Sequence, residues 1–143
     1  MPIKNYTTKI DIYTSLGEIQ GALARAGATK IMVDYLDGGK PDAVTFGVKS
    51  PAGNMAGFKL TARTDGVMRA FARDKIKTDR EQAERTAWRN IRDWVMAQMA
   101  LIESEQAELD EMFLQNLIDG SGRTLHETYK SGQLLIGDGG GRL

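Results

Sequence analysis

Arg85, Arg89 and Arg92 recur at spacings of four and three around Trp88. On a helix, residues at i and i+4 project from one side, and two guanidinium groups placed so can grip phosphate oxygens with paired N–H donors. A second grouping is Phe58-Lys59, followed by Arg63. An aromatic ring beside cations suits a nucleobase, which stacks, joined to a phosphate, which needs charge. Each grouping has a plainer reading. Like charges at i and i+4 repel unless something negative lies nearby, so the arginines equally suit the rim of an apolar stripe, paired with Glu81, Glu84 and Asp93. Phe58 equally suits a core, and Trp88 and Trp94 a core or a dimer seam.

Catalysis is poorly served. The chain has no cysteine, which removes thiol chemistry, disulfides and zinc-thiolate sites. Its single histidine, His126, makes a histidine metal cluster unexpected. Asp119 and Ser121 lie near it in sequence without forming a recognisable triad. Glu103, Glu105, Glu108, Asp110 and Glu111 read as a solvated helix face, not as a pair of catalytic carboxylates. Gly38-Gly39 lacks the lysine and helix of a phosphate loop, and Gly137 to Gly141 opens no helix. A protein without enzymatic activity or cofactor is expected. Nineteen basic and 19 acidic side chains cancel, which argues against a partner such as duplex nucleic acid. No apolar run approaches the roughly 20 residues of a membrane span, and no leader-like segment opens the chain, so a soluble cytosolic protein is expected.

The elements that must position these residues follow from periodicity. Thr78 with Glu81 reads as a capping box opening a helix to Glu111, with a stripe of Trp88, Ile91, Trp94, Val95, Met99, Ile102, Leu109 and Phe113. Such a helix would run roughly 50 Å, about twice the width of a domain this size, so it must bend back or find a partner chain. Upstream, Asn5 to Ile12 alternates like a strand. Thr14 or Ser15, with Glu18, then caps a short helix burying Leu16, Ile19, Gln20 and Leu23, which Gly27 stops. Lys30 to Leu36 and Asp42 to Val48 read as strands around the turn Asp37-Gly38-Gly39, the second with Val44, Phe46 and Val48 on one face. Pro51 to Asn54 turns the chain into a strand from Met55 to Ala62. Thr64 or Asp65 caps a helix with Val67, Met68 and Phe71. The plan is α+β, a small antiparallel sheet packed against helices, with one long helix at an oligomer interface. Residues 1–118 form the domain. Residues 119–143 form an extension, with a turn over Ile118 to Gly122, a short amphipathic piece over Thr124 to Tyr129, and a glycine-rich, partly mobile end from Gly137.

The segments NYTTKIDIYTSLGEIQGALARAGATKIMVDY and REQAERTAWRNIRDWVMAQMALIE resemble small phage and prophage proteins, the Thoeris anti-defence sponges of the first type described. The likeness runs from about Asn5 to Phe113, and the helix segment with its two tryptophans and paired arginines is its specific part. The resemblance implies a non-enzymatic protein in the host cytoplasm that binds a cyclic ADP-ribose isomer, made from NAD by a TIR-domain enzyme, and withholds it from its effector. It also implies a homodimer with pockets at the subunit interface, and in some members a hexamer that captures cyclic trinucleotides. Carried onto this chain, the phosphate ligands fall on Arg85 and Arg89 and the stacking aromatic on Phe58. Where the family pattern has Leu-Pro-Ala-Asn, this chain has Leu60-Thr61-Ala62-Arg63, so Arg63 would supply charge in place of the loop's polar contact. Two other readings compete. One is a helix-mediated protein-interaction or inhibitor protein of phage origin. The other, a nucleic-acid binder using Arg85, Arg89, Lys59 and Arg63, fits the neutral net charge least.

Overall fold

A computed structural model describes residues 2–133. It contains α1 (Ile12–Arg25), β1 (Lys30–Tyr35), β2 (Pro41–Lys49), β3 (Met55–Thr61), α2 (Thr64–Arg73), α3 (Arg80–Glu103), α4 (Leu109–Met112), a 3-10 turn (Leu114–Asn116) and α5 (Leu125–Lys130). The three strands form one antiparallel sheet in sequence order. The register sets Ile31 beside Phe46 and Phe46 beside Phe58, and Val33 beside Val44 and Val44 beside Leu60. Residues directly opposite in a ladder share a face, so these six form one apolar surface. Leu16, Ile19 and Leu23 of α1 and Ala87, Trp88, Val95 and Met99 of α3 close over it. The expected α+β architecture is therefore present.

Several local expectations are corrected. Asn5 to Ile12 forms no strand. Asn5 sits at φ 63°, which breaks an extended run. The segment's backbone is satisfied by side chains of α3 instead: the Gln82 amide donates to the carbonyls of Tyr6 and Thr8 at 3.1 and 2.9 Å, and the Thr86 hydroxyl to that of Asn5 at 2.9 Å. The cap of α1 is Asp11, whose carboxylate accepts from the Tyr13 amide at 2.9 Å, not Thr14 or Ser15. Gln20 is only partly buried. Asp79 caps α3 by accepting from the Gln82 amide at 2.9 Å, in place of the Thr78–Glu81 box. The N-cap of α2 is Arg63, without a side-chain cap bond, so Thr64 is already helical.

The long helix is 24 residues, about 36 Å, and stops at Glu103. Glu105 takes φ 60°, its amide donates to the Ile102 carbonyl at 3.1 Å, and the Gln106 amide reaches back to Leu101 at 2.9 Å. This is the paired closure of a Schellman motif without its usual glycine. The chain then folds back so that Leu109 and Phe113 join the same core as Trp88 and Val95. The stripe thus packs on the chain's own core, with Ile91, Trp94 and Ile102 partly buried and the rest buried, and its length requires no partner. Residues 117–130 also pack back onto the domain through a bridge from Leu117 to Phe58, and a second bridge, from Ile118 to Thr124, closes the segment on itself. The glycine-rich stretch from Gly137 lies outside the described residues.

Candidate functional site

The two faces of β3 meet different surroundings. Phe58 and Leu60 face the core, so Lys59 and Thr61 stand on the opposite face, with Arg63 just beyond the strand. The chain returns to this face after α4. The Ile118 amide donates to the Gly57 carbonyl at 2.9 Å, and the Asn116 side-chain amide to the Lys59 carbonyl at 3.0 Å. Gly57 permits this closeness, since a Cβ there would lie 3.1 Å from Ile118 Cδ1. The Asp119 carboxylate then pins the turn, accepting from the Ser121 hydroxyl at 2.7 Å and from the amides of Ser121 and Arg123 at 2.9 and 3.1 Å. Those donors, the Ser121 hydroxyl foremost, hold Asp119 below the usual carboxylate range. α5 opens with a capping box: the Thr124 amide donates to Glu127 Oε1 at 2.8 Å, and the Glu127 amide to Thr124 Oγ1 at 3.1 Å.

Between β3 and this returning segment lies a cleft of about 610 Å³. Lys59, Thr61 and Arg63 line one side, and Gln115, Asn116, Thr124, His126 and Glu127 the other. Among the described residues, neither Lys59 nor Arg63 has an ion-pair partner. The cleft's carboxylate, Glu127, is committed to its cap. Hydrogen bonds from the Thr124 amide and hydroxyl hold it below its usual range, against a smaller opposing effect of burial and with Lys59 and Arg123 assisting. Asn116 Oδ1 is buried without a hydrogen-bond partner, an acceptor left over beside the cleft. A recess of about 160 Å³ adjoins it, sharing Thr61, Gln115 and Asn116 and lined by Leu60, Ile91 and Trp94. Trp94 is partly exposed and meets Phe113 edge to face at 5.0 Å.

The residues singled out from sequence fall in three places. Lys59 and Arg63 share the cleft. Phe58 does not; it is 1% exposed and stacked on Phe46 at 5.2 Å on the core side of the sheet, so no base can reach its ring without opening the core. Arg85 and Arg89 line neither the cleft nor the recess. Arg89 Nη1 lies 3.2 Å from Glu18 and 3.4 Å from Ser15 Oγ, while Arg92 donates to Glu18 at 2.7 Å and to Asp93 at 3.1 Å. Burial raises the Glu18 pKa, but the donors of Arg92 and Arg89 outweigh it and hold the carboxyl below its usual range. Arg85 donates to the Gln82 side chain, and its buried Nε has no partner. Arg89 and Arg92 therefore tie α3 to α1, while Arg85 bonds within α3. Of the partners expected for them, only Asp93 is used; Glu84 pairs with Lys40 at 3.6 Å, and Glu81 is exposed.

Gln115, Asn116 and Glu127 as a surrounding for Lys59, and Trp94 in the adjoining recess, were not foreseen from sequence. The Thr124-x-x-Glu127 box was a visible signal for α5, and alternation along β3 separates Phe58 from Lys59. Nothing local showed that the two segments meet. Among the described residues no group of acids and histidines could hold a metal ion, and no helix is long and apolar enough to cross a membrane. No family model, curated protein or solved structure matches this chain.

Proposed function

We propose that the chain binds a small phosphorylated ligand of nucleotide type in the Lys59–Arg63 cleft and holds it without converting it. A cyclic ADP-ribose-type signal, or a cyclic trinucleotide, is the ligand implied by the sponges it resembles. The observation that carries the reading is a pair of cations without partners lining one cleft, beside a recess with a tryptophan wall. Lys59 and Arg63 outnumber Glu127, the cleft's one lining carboxylate, and that excess of positive charge attracts a phosphate or pyrophosphate. The cleft's size falls within the usual range for small-molecule sites. Trp94, on the adjoining recess, offers a ring on which a base attached to such a phosphate could stack, in place of the buried Phe58. Sequestration needs no acid or base, and Glu127, held ionised by its cap, is a poor proton donor. On this reading the protein is a phage anti-defence factor of the host cytoplasm, acting as a homodimer or a larger assembly.

The test is recovery of ligand. The protein is mixed with a cyclic ADP-ribose isomer, freed of unbound ligand and heated to unfold. Recovery of intact ligand in proportion to protein is expected. A linear or hydrolysed product would overturn sequestration. Retention of nothing from a panel of cyclic ADP-ribose isomers, cyclic di- and trinucleotides and NAD would overturn the ligand class. The interaction-protein reading would then lead, on a surface other than the α3 stripe, which the core occupies.

A further inference from the structure

The two edges of the sheet are treated differently. The outer edge of β3 is covered where Leu117 and Ile118 bridge to it. β1 pairs only with β2, and no other strand or bridge among the described residues lies along its far side. Open edges are normally blunted by a proline, a bulge or a central charge. β1 has no proline, and the irregularity near Asp34 places its extra residue in β2, at Asp42, leaving β1 itself continuous. Its centre is instead apolar: Met32 is 56% exposed, between partly buried Ile31 and Val33.

The charges on β1 are self-complementary. In an antiparallel pair related by a two-fold axis, the axis passes between two copies of one residue, and positions equally far on either side meet. An axis at Met32 sets Lys30 opposite Asp34 of the second copy, twice, and Ile31 opposite Val33, twice. An axis at Ile31 or Val33 sets a charge opposite Met32 instead. Neither Lys30 nor Asp34 has an ion-pair partner among the described residues, and Lys30 is exposed.

We infer that β1 is the seam of a homodimer, in which two copies pair antiparallel about Met32 and make one six-stranded sheet. Ile31 and Val33 continue the core face across the seam, while Lys30, Met32 and Asp34 lie on the other face. Lys59 shares a cross-strand row with Thr45 and Met32. The two clefts then open on one face of the joined sheet, with their Lys59 positions five strand spacings apart, about 24 Å. The seam stands independently of what fills the cleft, so it and the ligand reading fail separately.

Charge reversal tests it, read by sedimentation with circular dichroism as the check on folding. Wild type is expected to dimerise, and Lys30→Asp or Asp34→Lys alone to raise the dimer dissociation constant about tenfold or more, because like charges then oppose each other at both contacts. Mixing the two single variants, or combining both changes in one chain, places opposite charges together again and is expected to restore the dimer. A wild type that stays monomeric, an assembly indifferent to either reversal, or singles that the mixture does not rescue would overturn the seam.

Discussion

Glu18 determines what the arginines of α3 do. From sequence the three arginines suited either an anion clamp or a rim paired with Glu81, Glu84 and Asp93, and the carboxylate that takes both Arg89 and Arg92 was not among those partners. That carboxylate lies 71 positions from Arg89, on α1, and the chain supplies it only when the helices pack. Its apparent place in a capping box hid it further, since Asp11 performs that cap. Glu18→Gln is expected to destabilise the fold by about 1–3 kcal/mol in urea denaturation, the usual cost of leaving a part-buried charged donor short of its acceptor. The pH dependence has a definite sign. A carboxyl whose folded pKa lies below its ordinary 4.5 stabilises the fold above that pH, and the contribution is lost as pH falls through the folded value. Wild type is therefore expected to lose melting temperature on acidification more steeply than Glu18→Gln. Parallel curves would show that Glu18 does not carry this tie. At the same scale, the separation of Phe58 from Lys59 was legible from strand alternation, yet alternation does not say which face a ligand uses.

The elements were legible where their boundaries rest on local chemistry. The hairpins over 37–39 and 51–54 and the stop at Gly27 all appear, with Gly27, Gly38, Gly39 and Gly53 at positive φ. The overrun of α3 has a specific cause. α2 and α3 end in the same paired closure as α1, with Lys75 at φ 57° and Glu105 at φ 60° where glycine was the expected signal. A reading that waits for glycine or proline runs α3 on through Glu111. L-residues cost roughly 1 kcal/mol or more in that conformation, so Lys75→Gly and Glu105→Gly are each expected to raise stability by about 1 kcal/mol, measured by thermal melting. A loss of stability at either site would mean that the side chain makes a contact worth more than the strain. The supposed first strand failed differently. Its alternation was real, but its hydrogen bonds go to Gln82 and Thr86 on a helix instead of to a neighbouring strand.

At the scale of the molecule, the α+β plan followed from the order of periodicities, whereas the site did not. It forms between β3 and a segment more than 50 residues later, joined by the Asn116 bond to Lys59 across 57 positions. The excess helix length is resolved by the turn at Glu105, so the proposed pairing between copies rests instead on the open edge of β1. The central proposal is that the cleft, and not the α3 arginines, receives an anion. A ligand that binds only the folded state at 100 times its dissociation constant stabilises it by about 2.7 kcal/mol, ample for a melting shift. The deciding measurement is calorimetric titration of a cyclic ADP-ribose isomer into wild type, Lys59→Ala/Arg63→Ala and Arg85→Ala. Loss of binding in the cleft variant with an unchanged melting temperature, and binding retained in Arg85→Ala, is the predicted result. Binding that survives the cleft variant and disappears with Arg85→Ala would contradict it and return the site to α3.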